Sequence, residues 1–291
     1  MQPAAPTLRV ALGRYPHTRA LLAGEVASDW LRLEFADIAP INRAFAPMVR
    51  EARFDVCEIA IATFLQALAA GQDLVLLPVA MAARFQEQAL LCRADSDISG
   101  PADLAGRRIG VRAYSQTTGM WLRGILAEAH DLEPGQMHWI TFEDAHVAAY
   151  RDPPWAERAA PGADMLALLR AGDLDAAIVG NDAPDDPALR TVFPDPAAAA
   201  AAFWSRHRLV PVNHMVCVRG ALASRHPGLM DELLRLFRAA RGTAPLPSGR
   251  AALEPAVALA LRYCAAQHLL AGPVEMDRIW HDAALAGGCA M

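Results

Sequence analysis

The sequence contains no lysine: all 27 basic side chains among its 291 residues are arginines, set against 32 acidic ones for a net charge of −5. The arginines are scattered and form no stripe of the kind that tracks a phosphate backbone, which excludes nucleic acid as a partner class. Cysteine is sparse. Cys57, Cys92, Cys217, Cys264 and Cys289 are odd in number, far apart and without a C-x-x-C pair, which excludes a disulfide framework and a zinc knuckle and fits a reducing compartment. Long apolar runs are missing too. Arg, Asp, Glu or Gln interrupts each stretch before the roughly 18 residues that a membrane span needs, and the opening MQPAAPTLRVALGRY enters a strand pattern without the features of a secretory signal. The expected location is the cytoplasm, with no membrane partner. The nine histidines show no H-x-x-x-H or H-E-x-x-H spacing, and there is no G-x-S-x-G elbow, phosphate loop or dinucleotide fingerprint. No metal and no cofactor are expected, and the sequence leaves a homo-oligomer open.

What is present is a two-part rhythm, at a length that suits two packed lobes. Short β-rich runs LRVALG (8–13), LRLEFAD (31–37), VCEIAIA (56–62) and LVLLPVA (74–80) alternate with helical candidates at 16–23, 40–52 and 63–70. QALLCRA (88–94) leads into a second such unit: RIGVR (108–112), a helix over 117–130, MHWITFE (137–143), a helix over 163–171, and DAAIVGN (175–181). Alternation of this kind predicts α/β lobes, each a mostly parallel sheet covered by helices. VNHMVCVR (212–219) is a further extended segment, and the chain after His226 is helical. The expected architecture is two lobes, 1–86 with 216–291 and 87–215, joined by two crossover segments with a ligand cleft between them, the tail helices packing on the first lobe. The Pro- and Ala-rich stretches 151–162 and 182–200 are expected as surface loops or short helical excursions.

Ligands of open α/β sheets bind beyond the carboxyl ends of the strands. That rule selects Arg14, Tyr15 and His17 after the first strand, Thr63 after the third, and Arg84 after the fourth. From the second lobe come Tyr114, Ser115, Gln116, Thr117 and Thr118, then Glu143, Asp144 and His146, then Asn181. The polar loop 114–118 opens a helix, where free N–H groups and hydroxyls make an anion site; the same residues also serve as caps. A guanidinium such as Arg14 grips a carboxylate bidentately. The expected partner is therefore a small carboxylate. His214, in the apolar VPVNHMVCV, and His17 are the two candidates for moving a proton.

The order of motifs then becomes specific. LGRYPHTRAL, FDVCEIAIATFLQAL, VRAYSQTTGMWLRGILAEAHDLEP, WITFEDA and LVPVNHMVCVR followed by HPGL resemble the 4,5-dihydroxyphthalate decarboxylase family, which has the type 2 periplasmic-binding-protein fold. The resemblance runs from about residue 8 to about residue 240, and Tyr114, Thr117, Trp121, Arg123, Gly124, Ile125 and Leu126 are its most specific element. It implies decarboxylation of a hydroxylated aromatic dicarboxylate. Where the family pattern reads Arg-x-Phe-Arg-His after the fourth strand, this chain matches Phe85 but has Gln86 and Glu87 in place of the basic pair. The alternative reading is a non-enzymatic solute-binding protein that closes on a carboxylate, and a third is other lyase chemistry on a small acid.

Overall fold

The structure, a computed structural model, describes residues 6–180 and 183–280. Its strands are β1 (Thr7–Ala11), β2 (Arg32–Phe35), β3 (Val56–Ala60), β4 (Leu74–Ala83), β5 (Leu90–Arg93), β6 (Arg108–Val111), β7 (His138–Thr141), β8 (Ala156–Arg158), β9 (Ala176–Ile178), β10 (Leu189–Thr191) and β11 (Val212–Arg219). They form two sheets, in the orders β2-β1-β3-β11-β4 and β10-β5-β9-β6-β7-β8. Within the first, β1 is parallel to β2 and β3, whereas β11 lies antiparallel between β3 and β4. That direction follows from connectivity: β4 leaves the first sheet toward the second, and the returning chain re-enters at the same end. By the same logic β5, arriving from the first sheet, runs antiparallel to β9, while β6 is parallel to both β9 and β7.

Every residue of β3 is buried, as a continuous run at the centre of a covered sheet requires. Pro78 interrupts β4, which a sheet tolerates because β4 is the edge strand. The segment around Pro247 and Gly249 covers that edge, with the Ala80 N–H donating to the Pro247 carbonyl and the Gly249 N–H to Pro78.

Three expectations need correction. The second lobe boundary expected at 216 falls inside β11, which is paired with β4 from Val212 onward; Val212 and Asn213 therefore lie in the first sheet. The stretch 182–200, expected as loop or short excursions, contains β10 and leads into a twelve-residue helix, Pro196–His207. Its start was legible: the Asp195 side chain accepts the Ala198 N–H and Pro196 occupies the first turn, the residues that begin helices. The tail also does more than pack on the first lobe. Its helix Arg250–Ala266 contributes Leu253, Val257 and Tyr263 to one apolar interior that also holds Phe64 and Leu65 from the first lobe and Trp121 and Leu122 from the second. The helix Thr117–His130 approaches it so closely that a Cβ on Gly124 would stand 2.1 Å from the Tyr263 ring. Past that helix, Gln267 donates to the Met120 carbonyl of the second lobe and the Leu269 carbonyl accepts from Gln66 of the first.

Candidate functional site

The site begins with a charge in an apolar strand. Glu58, at the middle of β3, is fully buried, and a buried carboxyl is costly unless donors reach it. Three do. The Gly13 N–H donates to Oε2 at 2.9 Å, and the Tyr15 hydroxyl and His214 Nδ1 both reach Oε1 at 2.8 Å. Gly13 is required for this: a Cβ there would meet the Tyr15 ring at 2.4 Å, so only glycine lets that ring fold back over the end of β1. The turn is held by buried Thr18, whose hydroxyl donates to the Gly13 carbonyl at 2.7 Å and accepts the Tyr15 N–H at 2.9 Å. Burial, reinforced by Glu58, pushes the Tyr15 phenol above its ordinary range, so it acts as a neutral donor. With Nδ1 of His214 donating to Glu58, the ring is oriented and Nε2 is left for chemistry. The His214 side chain keeps 22% of its exposure.

A second imidazole stands beside it. Buried Phe45 meets His214 edge-on at 5.1 Å and His146 edge-on at 5.5 Å between ring centroids. His146 Nδ1 lies 2.8 Å from the Thr63 hydroxyl, and its backbone is gripped by Arg50, which donates to the Ala145 and His146 carbonyls at 2.7 Å each. First-lobe and second-lobe loops thus meet around Phe45. Burial, with Arg112, Arg50 and His214 nearby, lowers the His146 pKa to about 4. In the unfolded chain it titrates near 6.5. Below about pH 6.5 the unfolded state therefore takes up a proton that the folded state refuses, and stability falls on acidification by up to about 1.4 kcal/mol per pH unit until about pH 4. Denaturant unfolding between pH 7 and 5 should show a shallower decline in His146→Gln than in the native chain; equal slopes would exclude this assignment.

The helix starts of the two lobes also touch. The Ala62 N–H, in the first turn of the helix Ile61–Ala69, donates to the Thr117 hydroxyl at 3.2 Å. Thr117 opens its own helix, which has no side-chain cap. Two helix N-termini, the sites at which an anion is most readily held, are thereby brought face to face. Ser115, Thr117 and Thr118 are all buried in this arrangement, and Gln116, the residue before the helix, has a buried side-chain oxygen without a partner among the described residues.

Other sequence-selected residues lie elsewhere. Arg14 points outward and pairs with Asp37 at 2.8 Å, both side chains largely exposed, because Tyr15 takes the inward position in the turn. Tyr114 belongs to the second lobe's interior: it is fully buried, the Arg123 guanidinium lies 3.9 Å from its ring centroid, and its hydroxyl accepts the Trp155 indole N–H. His17 stacks on Tyr15 at 4.9 Å but sits in a separate crevice with Met81, Phe237 and Arg241, and burial lowers its pKa. Arg84 lines the cavity of about 820 Å³ at the crossover, together with Phe85 and Glu87. Asn181 lies outside the described residues. Glu58 was not singled out from the sequence, although a lone acid inside VCEIAIA is the kind of buried polar exception that carries information. Among the described residues no three His, Cys, Asp or Glu side chains are grouped as metal ligands, and no helix is long and apolar enough to cross a membrane.

Two α/β lobes linked by two crossovers, with an antiparallel strand in the first sheet and polar groups at facing strand ends, define a type 2 periplasmic-binding-protein-like fold. Solved structures of that fold align along nearly the whole chain. The aliphatic sulphonate binding protein SsuA of Escherichia coli has a TM-score of 0.55 at 14% identity, covering 94% of this chain and 88% of its own. SsuA of Xanthomonas axonopodis pv. citri, bound to MOPS, gives 0.56 at 15%, covering 98% of each. DszB in complex with biphenyl-2-sulfinic acid gives 0.52 at 16%, covering 97% and 98%. No model of a known protein family matches the chain. Among curated proteins, the 4,5-dihydroxyphthalate decarboxylase of Comamonas testosteroni is 30% identical over 256 residues, 81% of this chain and 75% of that one. That of Pseudomonas putida is 29% identical over 210 residues, 68% and 81% of the two chains. The chain belongs to the 4,5-dihydroxyphthalate decarboxylase family.

Proposed function

We propose that this chain is a metal-free carboxy-lyase that removes CO₂ from a hydroxylated aromatic dicarboxylate of the 4,5-dihydroxyphthalate kind, with His214 supplying the proton. The observation that carries the proposal is the fully buried Glu58 carboxylate bonded to Nδ1 of His214, an arrangement that fixes an imidazole for proton transfer. When the bond from the ring to the carboxylate breaks, its electron pair stays on the ring carbon and CO₂ departs. That carbon then takes the proton from Nε2 of the imidazolium, and solvent restores it. A ring hydroxyl assists by pushing electrons toward the same carbon. The second carboxylate is held at the facing helix starts of Ala62 and Thr117, displacing the contact between them, where N–H groups favour an anion. Water excluded from the closed site favours the less charged transition state over the solvated carboxylate.

A second reading, a receptor for a small carboxylate, is favoured by the likeness of the fold to the sulphonate binding proteins. One experiment separates the two: the purified chain is incubated with a panel of hydroxylated aromatic dicarboxylates and CO₂ release is followed beside calorimetric binding. Release with turnover is expected. Saturable binding without release across the panel would replace the lyase by the receptor.

A further inference from the structure

The first sheet has two edges, and they end differently. At β4 the segment around Pro247 and Gly249 covers the strand, whereas no described residue pairs with the outer side of β2. The direction of the free groups there follows from the ladder. Arg32 and Ala36 donate their N–H groups to the Pro6 and Val10 carbonyls on the β1 side, and backbone groups alternate in direction along a strand, so the N–H and C=O groups of Leu33 and Phe35 point away from the sheet. Side chains alternate too. Leu33 and Phe35 pack on the apolar cluster that holds Leu229, Leu233 and Phe237, while Arg32 and Glu34 share the opposite face, exposed and 3.8 Å apart. Trp30, just before the strand, is one of two exposed large apolar side chains among the described residues.

An open edge is a template for another strand, and charge is the usual guard against such pairing. Here the guard carries one charge of each sign two positions apart, a pattern that is complementary to itself when reversed. We infer that β2 is a docking edge for a second copy of this chain, the two strands running antiparallel about a two-fold axis at Leu33. The contact is isologous, each copy offering the same patch. The register follows from the side chains. An axis at Glu34 sets two carboxylates opposite each other, one at Arg32 sets two guanidiniums opposite each other, and one at Phe35 leaves both charges without a cross-strand partner. With the axis at Leu33, the two Leu33 residues exchange N–H···O bonds through their outward groups. Arg32 of each copy then stands opposite Glu34 of the other, in the non-hydrogen-bonded positions where cross-strand side chains are closest. Trp30 falls opposite the half-buried Ala36 of the second copy, which gives its ring an apolar surface to cover. Since β1 separates β2 from the strand that carries Glu58, the pairing does not depend on the lyase reading.

Sedimentation equilibrium of the full chain tests the pairing. Association with a dissociation constant below about 100 µM is expected. Arg32→Glu and Glu34→Arg each set like charges opposite one another and should weaken it by about tenfold or more. Both side chains are exposed, so the unfolding temperatures should not change. Carrying both substitutions at once restores opposite charges across the axis and should return the constant to within about threefold of the native value. An equimolar mixture of the two single variants should pair for the same reason. Leu33→Pro, which removes an outward N–H that the fold itself does not use, should abolish association. A chain that stays monomeric at about 100 µM would overturn the inference. So would an assembly that neither charge reversal weakens, or single variants whose loss the double exchange does not rescue.

Discussion

Replacing His214 with asparagine is expected to lower CO₂ release by about 10²–10⁴-fold while substrate affinity changes little, the range for loss of a positioned acid or base. Asparagine is the discriminating choice because its amide N–H still reaches Glu58 where Nδ1 donates at 2.8 Å. The buried carboxylate stays satisfied, and only the titratable Nε2 is removed. Steady-state kinetics should then show the loss in kcat with KM nearly constant, the signature of an interaction made in the transition state. If kcat falls less than about threefold, His214 is not the proton donor and the neighbouring His146 becomes the next candidate.

Glu58→Leu should be the most destabilising single change in the site. It leaves the Gly13 N–H, the Tyr15 hydroxyl and His214 Nδ1 without the acceptor they share. Stranding buried donors costs about 1–3 kcal/mol each, and removing one partner of a buried charged pair about 3–5 kcal/mol. Because the three losses overlap, the expected total is about 3–5 kcal/mol. Glu58→Gln, which keeps one accepting oxygen, should lose less. Denaturant unfolding of both variants measures this; a loss below about 1 kcal/mol in Glu58→Leu would mean that water replaces the carboxylate.

The strands and their division into two sheets were legible because burial on both faces writes a continuous apolar run, as in β3, and because the runs were separated by helical periods. The candidate site was legible only in part. Thr63, His146 and the start of the helix at Thr117 were reachable from the rule that ligands sit at strand ends, and His214 from its place as a lone histidine in the apolar VPVNHMVCV. Rules of that kind say which loop is near the cleft but not which side chain in the loop turns inward. Arg14 and Tyr15 are adjacent, and the ring folds inward only because Gly13 lacks a Cβ. Tyr114 looked like part of a polar mouth, but its role depends on Arg123, nine positions along, whose Nη2 donates to the Tyr114 carbonyl. A buried arginine cannot be told from a surface one without its partners. The His146–Thr63 contact joins residues of different lobes, a relation that no local spacing encodes.

The tail helix gives the molecule a different mechanics from that of a clamshell. With Leu253, Val257 and Tyr263 sharing one interior with Phe64 and Trp121, swinging the lobes apart would bring that interior into water, at roughly 25 cal/mol for each Å² uncovered. The Arg50 bonds to the carbonyls of residues 145 and 146 are exposed and are the ties that break at lowest cost. Loosening that loop therefore costs less than parting the lobes.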